Sequence, residues 1–182
     1  MKKFRVIYAD PPWQYNDKQN SIKRGGAIKH YQTMSINELC DLKINSKQIK
    51  DIAESDAVLF LWVTSPLLDE VFKLIRAWGF KYKASFIWDK VKHNMGHYNS
   101  VRHELLLICT KGSHITPDVK KLFDSVQVIP RTNKHSEKPI EFRNIIDTLY
   151  TKGNKIELFA RTKTKGWTAW GKCCDHLFFI SQ

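Results

Sequence analysis

Polar and apolar positions along this chain fall into two alternating patterns. Residues 5–9, 57–63, 85–88, 104–109, 125–129 and 155–159 are short, near-continuous apolar runs rich in β-branched side chains, which predicts strands. Because these runs are apolar throughout rather than at every second position, they predict strands covered on both faces. Helical spacing separates them. Ser35-Ile36-Asn37-Glu38 is a capping box opening a helix, residues 66–78 carry apolar positions at helical intervals up to Gly79, and residues 139–150 do the same before Gly153. Strands alternating with helices predict an α/β class chain with a mostly parallel central sheet and helices on both faces. Two long polar segments, residues 15–30 and 90–102, interrupt the pattern. In an open α/β sheet, ligands bind at loops following the strand C-termini.

Length narrows this picture: 182 residues are expected to form a single domain, residues 1–182, without a separate target-recognition module. The 30 Lys and Arg against 18 Asp and Glu give a formal charge of +12, which favours a polyanionic partner. Nucleic acid fits that requirement, with solubility as the other reading of the excess. No stretch approaches the roughly 20 apolar residues that span a bilayer. The basic start, Met1-Lys2-Lys3-Phe4-Arg5, leads into an apolar run that ends at Asp10 without a cleavage-site pattern, so a cytoplasmic protein is expected. Cys40, Cys109, Cys173 and Cys174 include no CxxC pair, and they are expected to be reduced and mostly buried.

Candidate chemistry begins at Asp10-Pro11-Pro12-Trp13, directly after the first apolar run. The prolines fix their own φ and push Asp10 toward an extended conformation, which holds a carboxylate and the Pro11 carbonyl in one pose. Both groups accept hydrogen bonds, and the 6-amino group of adenine offers two N–H donors. Trp13 adds a flat face on which an extruded base could stack, worth about 1–3 kcal/mol per base. A proline-rich turn after an edge strand is the alternative. His93 and His97 lack a third ligand at sensible spacing, so no metal site is expected. Trp62, Trp78 and Trp88 lie within apolar patterns and are expected in the core.

Further motifs follow in order. They are Tyr31-Gln32-Thr33-Met34-Ser35, Leu59-Phe60-Leu61-Trp62-Val63-Thr64, Phe86-Ile87-Trp88 with Lys90, Gly96-His97-Tyr98, His135-Ser136-Glu137-Lys138-Pro139, residues 155–161, and Gly166-Trp167 through Trp170-Gly171. Together with Asp10-Pro11-Pro12-Trp13, this set resembles the adenine-N6 methyltransferases typified by the catalytic subunit of the eukaryotic mRNA adenosine methyltransferase, with shorter bacterial and phage relatives. The resemblance implies a Rossmann-like fold dependent on S-adenosylmethionine, in permuted order, with the catalytic motif near the N-terminus and the cofactor-binding strand near the C-terminus. It implies methyl transfer to the adenine 6-amino nitrogen of DNA, with RNA or a catalytically silent nucleic-acid-binding role as alternatives.

By the same resemblance, Asp10, Pro11, Pro12 and Trp13 are catalytic, Asp10 acting mainly as an acceptor that orients the amine and counted also among the cofactor-binding residues. Lys138 is expected near the cofactor's carboxylate, with Ser136 beside it. Glu157 and Arg161 are expected to contact the ribose and neighbouring groups, or else to pair with each other across one strand face. Lys172 is placed with the cofactor-binding residues, or approaches a phosphate. Here Gly171-Lys172-Cys173 departs from the Gly-Asn-Gln or Gly-Asn-Glu of relatives. Substrate contacts are expected from Trp13, Tyr15, Lys18, Lys23, Arg24, Lys29, Tyr31, Lys90, His93 and His97. The first of the two polar loops either closes over the base or is a solvated surface loop. A homodimer is expected in which one copy helps hold DNA for the other.

Overall fold

The computed structural model describes residues 2–15, 33–95, 98–113, 115–132 and 137–174. In chain order the elements are β1 (Phe4–Ala9), α1 (Ile36–Cys40), β2 (Lys43–Ile44), β3 (Lys47–Gln48), α2 (Ile49–Ile52), β4 (Ala53–Val63), α3 (Val71–Ala77), β5 (Lys81–Met95), β6 (Ser100–Lys111), β7 (Val126–Val128), α4 (Ile140–Leu149), β8 (Lys155–Leu158) and β9 (Thr168–Trp170). Seven strands join in the order β7-β5-β6-β4-β1-β8-β9. β1 lies parallel to both β4 and β8, β8 parallel to β9, and β5 parallel to β7, while β6 runs against β4 and β5. The sheet is therefore mixed but mostly parallel, with β6 alone reversed.

β4 shows why the centre is stable. Leu59, Leu61 and Val63 face one core, Val58, Phe60 and Trp62 face another, and all six are at most 1% exposed. Burying each such side chain fully contributes about 1.5–3 kcal/mol. α1, α2 and α3 cover the first face, with Leu39, Ile49, Leu74 and Ile75, and α4 covers the second through Phe142, Ile145, Ile146 and Leu149. Helices thus lie on both faces, as the continuous apolar runs predict.

Boundaries differ from the sequence reading in several places. The helix expected over residues 66–78 divides into a 3₁₀ turn at Ser65–Leu67 and α3, because Pro66 at the front of a turn lacks an N–H to continue an α-helical ladder. The polar segment 90–102 is not a free loop. β5 runs on to Met95 and β6 starts at Ser100, with pairing interrupted between Asp89 and Asn94, where Val91 takes φ +66°. β2, β3, α2 and β9 were not anticipated. Asn45 and Ser46, both at positive φ, form the two-residue turn joining β2 to β3.

β1 and β8 lie at opposite ends of the chain yet pair side by side. From β1 the sheet extends through β4 on one side and through β8 and β9 on the other. The C-terminal ends of β1 and β8 therefore flank the kind of crevice in which α/β sheets hold ligands.

Candidate active site

Asp10 is the first residue beyond β1. The turn after it is pinned by backbone bonds: Trp13 N–H donates to the Pro11 carbonyl at 2.9 Å, Met34 N–H to the Pro12 carbonyl at 2.7 Å, and Gln14 N–H to the Met34 carbonyl at 3.0 Å. A carbonyl has two lone pairs, so Pro11 keeps one acceptor position. The expectation for Trp13 is corrected. Its ring is 6% exposed in the core, and its Nε1–H donates to the Trp62 carbonyl at 3.1 Å, so it anchors the turn instead of offering an open stacking face. Tyr15 is held by its hydroxyl against Thr64 Oγ1 at 2.8 Å.

A string of alternating charges meets Asp10. Lys138 Nζ lies 2.8 Å from Asp10 Oδ1 and 2.9 Å from Oδ2, and 3.3 Å from Glu104 Oε2, while Lys90 Nζ donates to Glu104 Oε1 at 2.5 Å. Lys138 Nζ also stands 5.5 Å over the Trp62 ring. Burial pushes the Asp10 carboxyl above its usual range against the pull of Lys138. Burial acts likewise on Glu104, but Lys138 and Lys90 outweigh it and hold that carboxyl below its usual range. Burial would lower Lys138, yet the two carboxylates raise it, so it stays charged. Lys90, expected among the substrate contacts, is 9% exposed and bonded to Glu104, so it stands as a buried member of this string.

Beside the string opens a cleft of about 380 Å³ lined by Tyr8, Asp10, Trp88, Lys138, Arg143, Glu157, Phe159 and Arg161, among others. Glu157, on β8, does not show the strand-face pair expected with Arg161, since β8 stops at Leu158 and Phe159 turns at φ +62°. Its ion pair is with Arg143 of α4, Nη2 to Oε2 at 2.5 Å. Burial raises the Glu157 carboxyl, and Arg143 opposes the shift. Gly171 is packed behind the Phe159–Ala160 turn, and Lys172 is exposed on the 3₁₀ turn that follows. His93 is exposed on the extension of β5.

Of the expected residues, Asp10, Lys138, Glu157 and Arg161 share one cleft. Lys18, Lys23, Arg24, Lys29, Tyr31, His97 and Ser136 lie outside the described residues. Sequence reasoning missed Glu104 and Arg143. A lone carboxylate opening the apolar run 104–109 was an available signal for Glu104, whereas Arg143 reads as one more polar flank of an amphipathic helix. Cys109 is buried and its thiol pushed up to about 12, but Cys40 and Cys173 are only half-buried, so burial of the cysteines holds in part. Among the described residues, no three His, Cys, Asp or Glu side chains cluster as metal ligands, and no helix is long and apolar enough to cross a membrane.

The sequence matches the MT-A70 family over residues 4–173. The chain belongs to the MT-A70 family. It is 36% identical to the Type II methyltransferase M.MunI of Mycoplasma sp over 93% of this chain and 77% of that protein. It is 27% identical to an N(6)-adenosine-methyltransferase MT-A70-like protein of Arabidopsis thaliana and 25% to the catalytic subunit METTL3 of Homo sapiens, each over 98% of this chain but only 25% and 29% of those proteins. MT-A70 methyltransferases use S-adenosylmethionine. The cleft suits that group. Its lining carries carboxylates at Asp10 and Glu157 and cations at Lys138 and Arg161, the mix of charges that a zwitterionic, sugar-bearing group requires.

Proposed function

We propose that this protein transfers a methyl group from S-adenosylmethionine to the 6-amino nitrogen of adenine in DNA, through one catalytic domain with permuted motif order. The observation that carries the reading is the Asp10 carboxylate directly after β1, followed by the Pro11 carbonyl with its second lone pair, with Asp10 lining the same cleft as Lys138 and Glu157. Greater similarity to the Type II methyltransferase than to the N(6)-adenosine-methyltransferases supports DNA over RNA. When bound, S-adenosylmethionine supplies an electrophilic methyl group on sulfur that leaves a neutral thioether behind.

The chain's own residues do the rest. Asp10 and the Pro11 carbonyl each accept one N–H of the amine, which turns the nitrogen lone pair toward the methyl. Holding the partners aligned can supply about 7–11 kcal/mol relative to a bimolecular encounter. Once methylated, the amine would carry one proton too many, and the Asp10 carboxylate would be placed to take it. Burial makes Asp10 a better proton acceptor than an exposed aspartate, so orienting and accepting fall to the same carboxylate. Lys138 keeps Asp10 ionised and in place between turns of the reaction.

Transfer of radiolabelled methyl to matched single- and double-stranded DNA and RNA, followed by digestion to nucleosides, tests the reading. Label in N6-methyladenine of DNA is expected. Label confined to RNA would move the substrate, and no label on any polymer, with an Asp10→Ala control equally blank, would overturn the enzymatic reading. We further propose a homodimer in which each copy helps hold the duplex. A monomer by light scattering, fully active at the same concentration, would remove the dimer.

A further inference from the structure

Arg143 is fixed by four partners. Its Nη2–H donates to Glu157 Oε2 at 2.5 Å, its Nη1–H to Thr164 Oγ1 at 2.5 Å, and its guanidinium lies 5.6 Å over the Tyr8 ring and 5.9 Å over the Trp167 ring. The acid one helical turn along, Asp147, would be the ordinary partner for an arginine at this position. Asp147 is taken instead by Lys155 at 2.5 Å and by the Trp167 Nε1–H at 3.2 Å. Arg143 reaches off its own helix to β8, and its Nε stays buried with no partner, a cost that a purely structural arginine avoids. Its grip uses only Oε2 of Glu157. Among the described residues Oε1 has no partner, and both Glu157 and Arg143 line the cleft.

We infer that Arg143 is a positioning residue for the methyl donor: it holds Glu157 in one rotamer and in its ionised form, so that Oε1 faces the cleft as the acceptor for the donor's sugar hydroxyls. This rests on the S-adenosylmethionine reading of the cleft. A bidentate or forked guanidinium fixes a carboxylate where a lysine supplies only a point charge. Without it, burial and the nearby Asp10 carboxylate would favour protonated Glu157, and a protonated carboxyl loses acceptor capacity. The groups facing Glu157 are Arg143 from α4, the Tyr8 hydroxyl from β1 and Asp10 beyond β1, and Arg143 is the cation in contact.

Two readouts test this in the full chain. The first follows the Glu157 carboxyl by carbon NMR titration in ligand-free protein, and Arg143→Gln is expected to move its midpoint upward. The second measures S-adenosylmethionine affinity and the kcat and KM for the donor. Arg143→Gln should weaken binding about 10- to 100-fold, as expected for loss of a hydrogen bond to a charged group, chiefly through KM. The loss should deepen as pH falls. Arg143→Lys should recover part of the affinity, and Arg143→Gln should add nothing in a Glu157→Gln background.

An unmoved midpoint with unchanged donor affinity in folded Arg143→Gln overturns the inference. So does an equal loss in the Glu157→Gln background. Should Arg143→Gln fail to fold, Arg143→Lys decides, since wild-type affinity and titration in that variant show that the fork is not needed. Wild-type protein that does not bind S-adenosylmethionine would instead overturn the proposed function, and the titration would still decide whether Arg143 controls Glu157.

Discussion

Asp10 and Lys138 form a buried pair in which each keeps the other charged. Replacing Asp10 by Asn keeps the shape but removes the charge, and kcat is expected to fall about 10²–10⁴-fold. Donor affinity, measured by calorimetry, should stay within a few-fold of wild type. Lys138→Met leaves Asp10 and Glu104 close together without their shared cation, and breaking such a buried pair costs about 3–5 kcal/mol in urea unfolding. The pH profile gives a second check. The working form of Asp10 is the carboxylate and burial raises its pKa, so activity is lost as pH falls through a value above the ordinary carboxylate range. Removing the ammonium removes a lowering influence, and the acid limb of the Lys138→Met profile should move to still higher pH. Asp10 was legible in the sequence because a carboxylate and a diproline after an apolar run carry chemistry on their own, whereas Lys138 was singled out only through the family resemblance. Glu104, Lys90 and Arg143 acquire their partners only through pairings 14 or more residues away in sequence, which no local pattern records.

At the scale of elements, Gly171 after β9 packs closely against the turn that follows β8. A Cβ at Gly171 would stand 2.4 Å from Ala160 N and 2.6 Å from the Phe159 carbonyl carbon, and Gly171 has φ +152°. Gly171→Ala must push the Phe159–Ala160 turn toward the cleft. The expected result is about 1–3 kcal/mol of lost stability together with weaker donor binding, read by thermal melts and calorimetry. A second joint ties the opposite end of the sheet: Asp118 accepts from Arg5 Nη1 at 2.8 Å and from the Thr151 and Lys152 amides at 2.9 and 3.0 Å. Its carboxyl is held down at about 2, first by the hydrogen bond from Arg5. A depressed carboxylate contributes stability that is complete above its unfolded value and is lost as pH falls toward the folded one. Asp118→Asn should therefore cost stability at pH 7, and the gap from wild type should close between about pH 4 and pH 2 in urea titrations. The strands were legible because apolar runs survive any register. Their ends were not, because Pro66, Val91 and the Asn45-Ser46 turn set boundaries through backbone conformation.

Across the whole molecule, ion pairs among the described residues join Arg5 to Asp118, Lys90 to Glu104, Arg102 to Asp89, Lys138 to Asp10, Arg143 to Glu157 and Lys155 to Asp147, and Lys138 also reaches Glu104. Each cancels one charge of each sign, so the formal +12 is carried by the remaining residues. Asp10, Glu104 and Glu157 are committed to the cleft and the charge string beside it, and the net positive excess of the chain is what a polyanion would meet. If that excess neutralises DNA phosphates, each contact releases condensed counterions, and log K should fall linearly with log salt at about −0.9 per contact. Duplex affinity measured by fluorescence anisotropy from 50 to 200 mM salt should then drop steeply, by about 10³–10⁵-fold for 6–10 contacts. Asp10→Asn should keep that slope, because its carboxylate lines the cleft and pairs with Lys138. A flat salt response would leave the charge to solubility and shift the burden of substrate binding onto the cleft. A steep slope shared by duplexes with and without a methylatable adenine would identify the excess as the means by which a small catalytic sheet stays on DNA while the cleft selects the base.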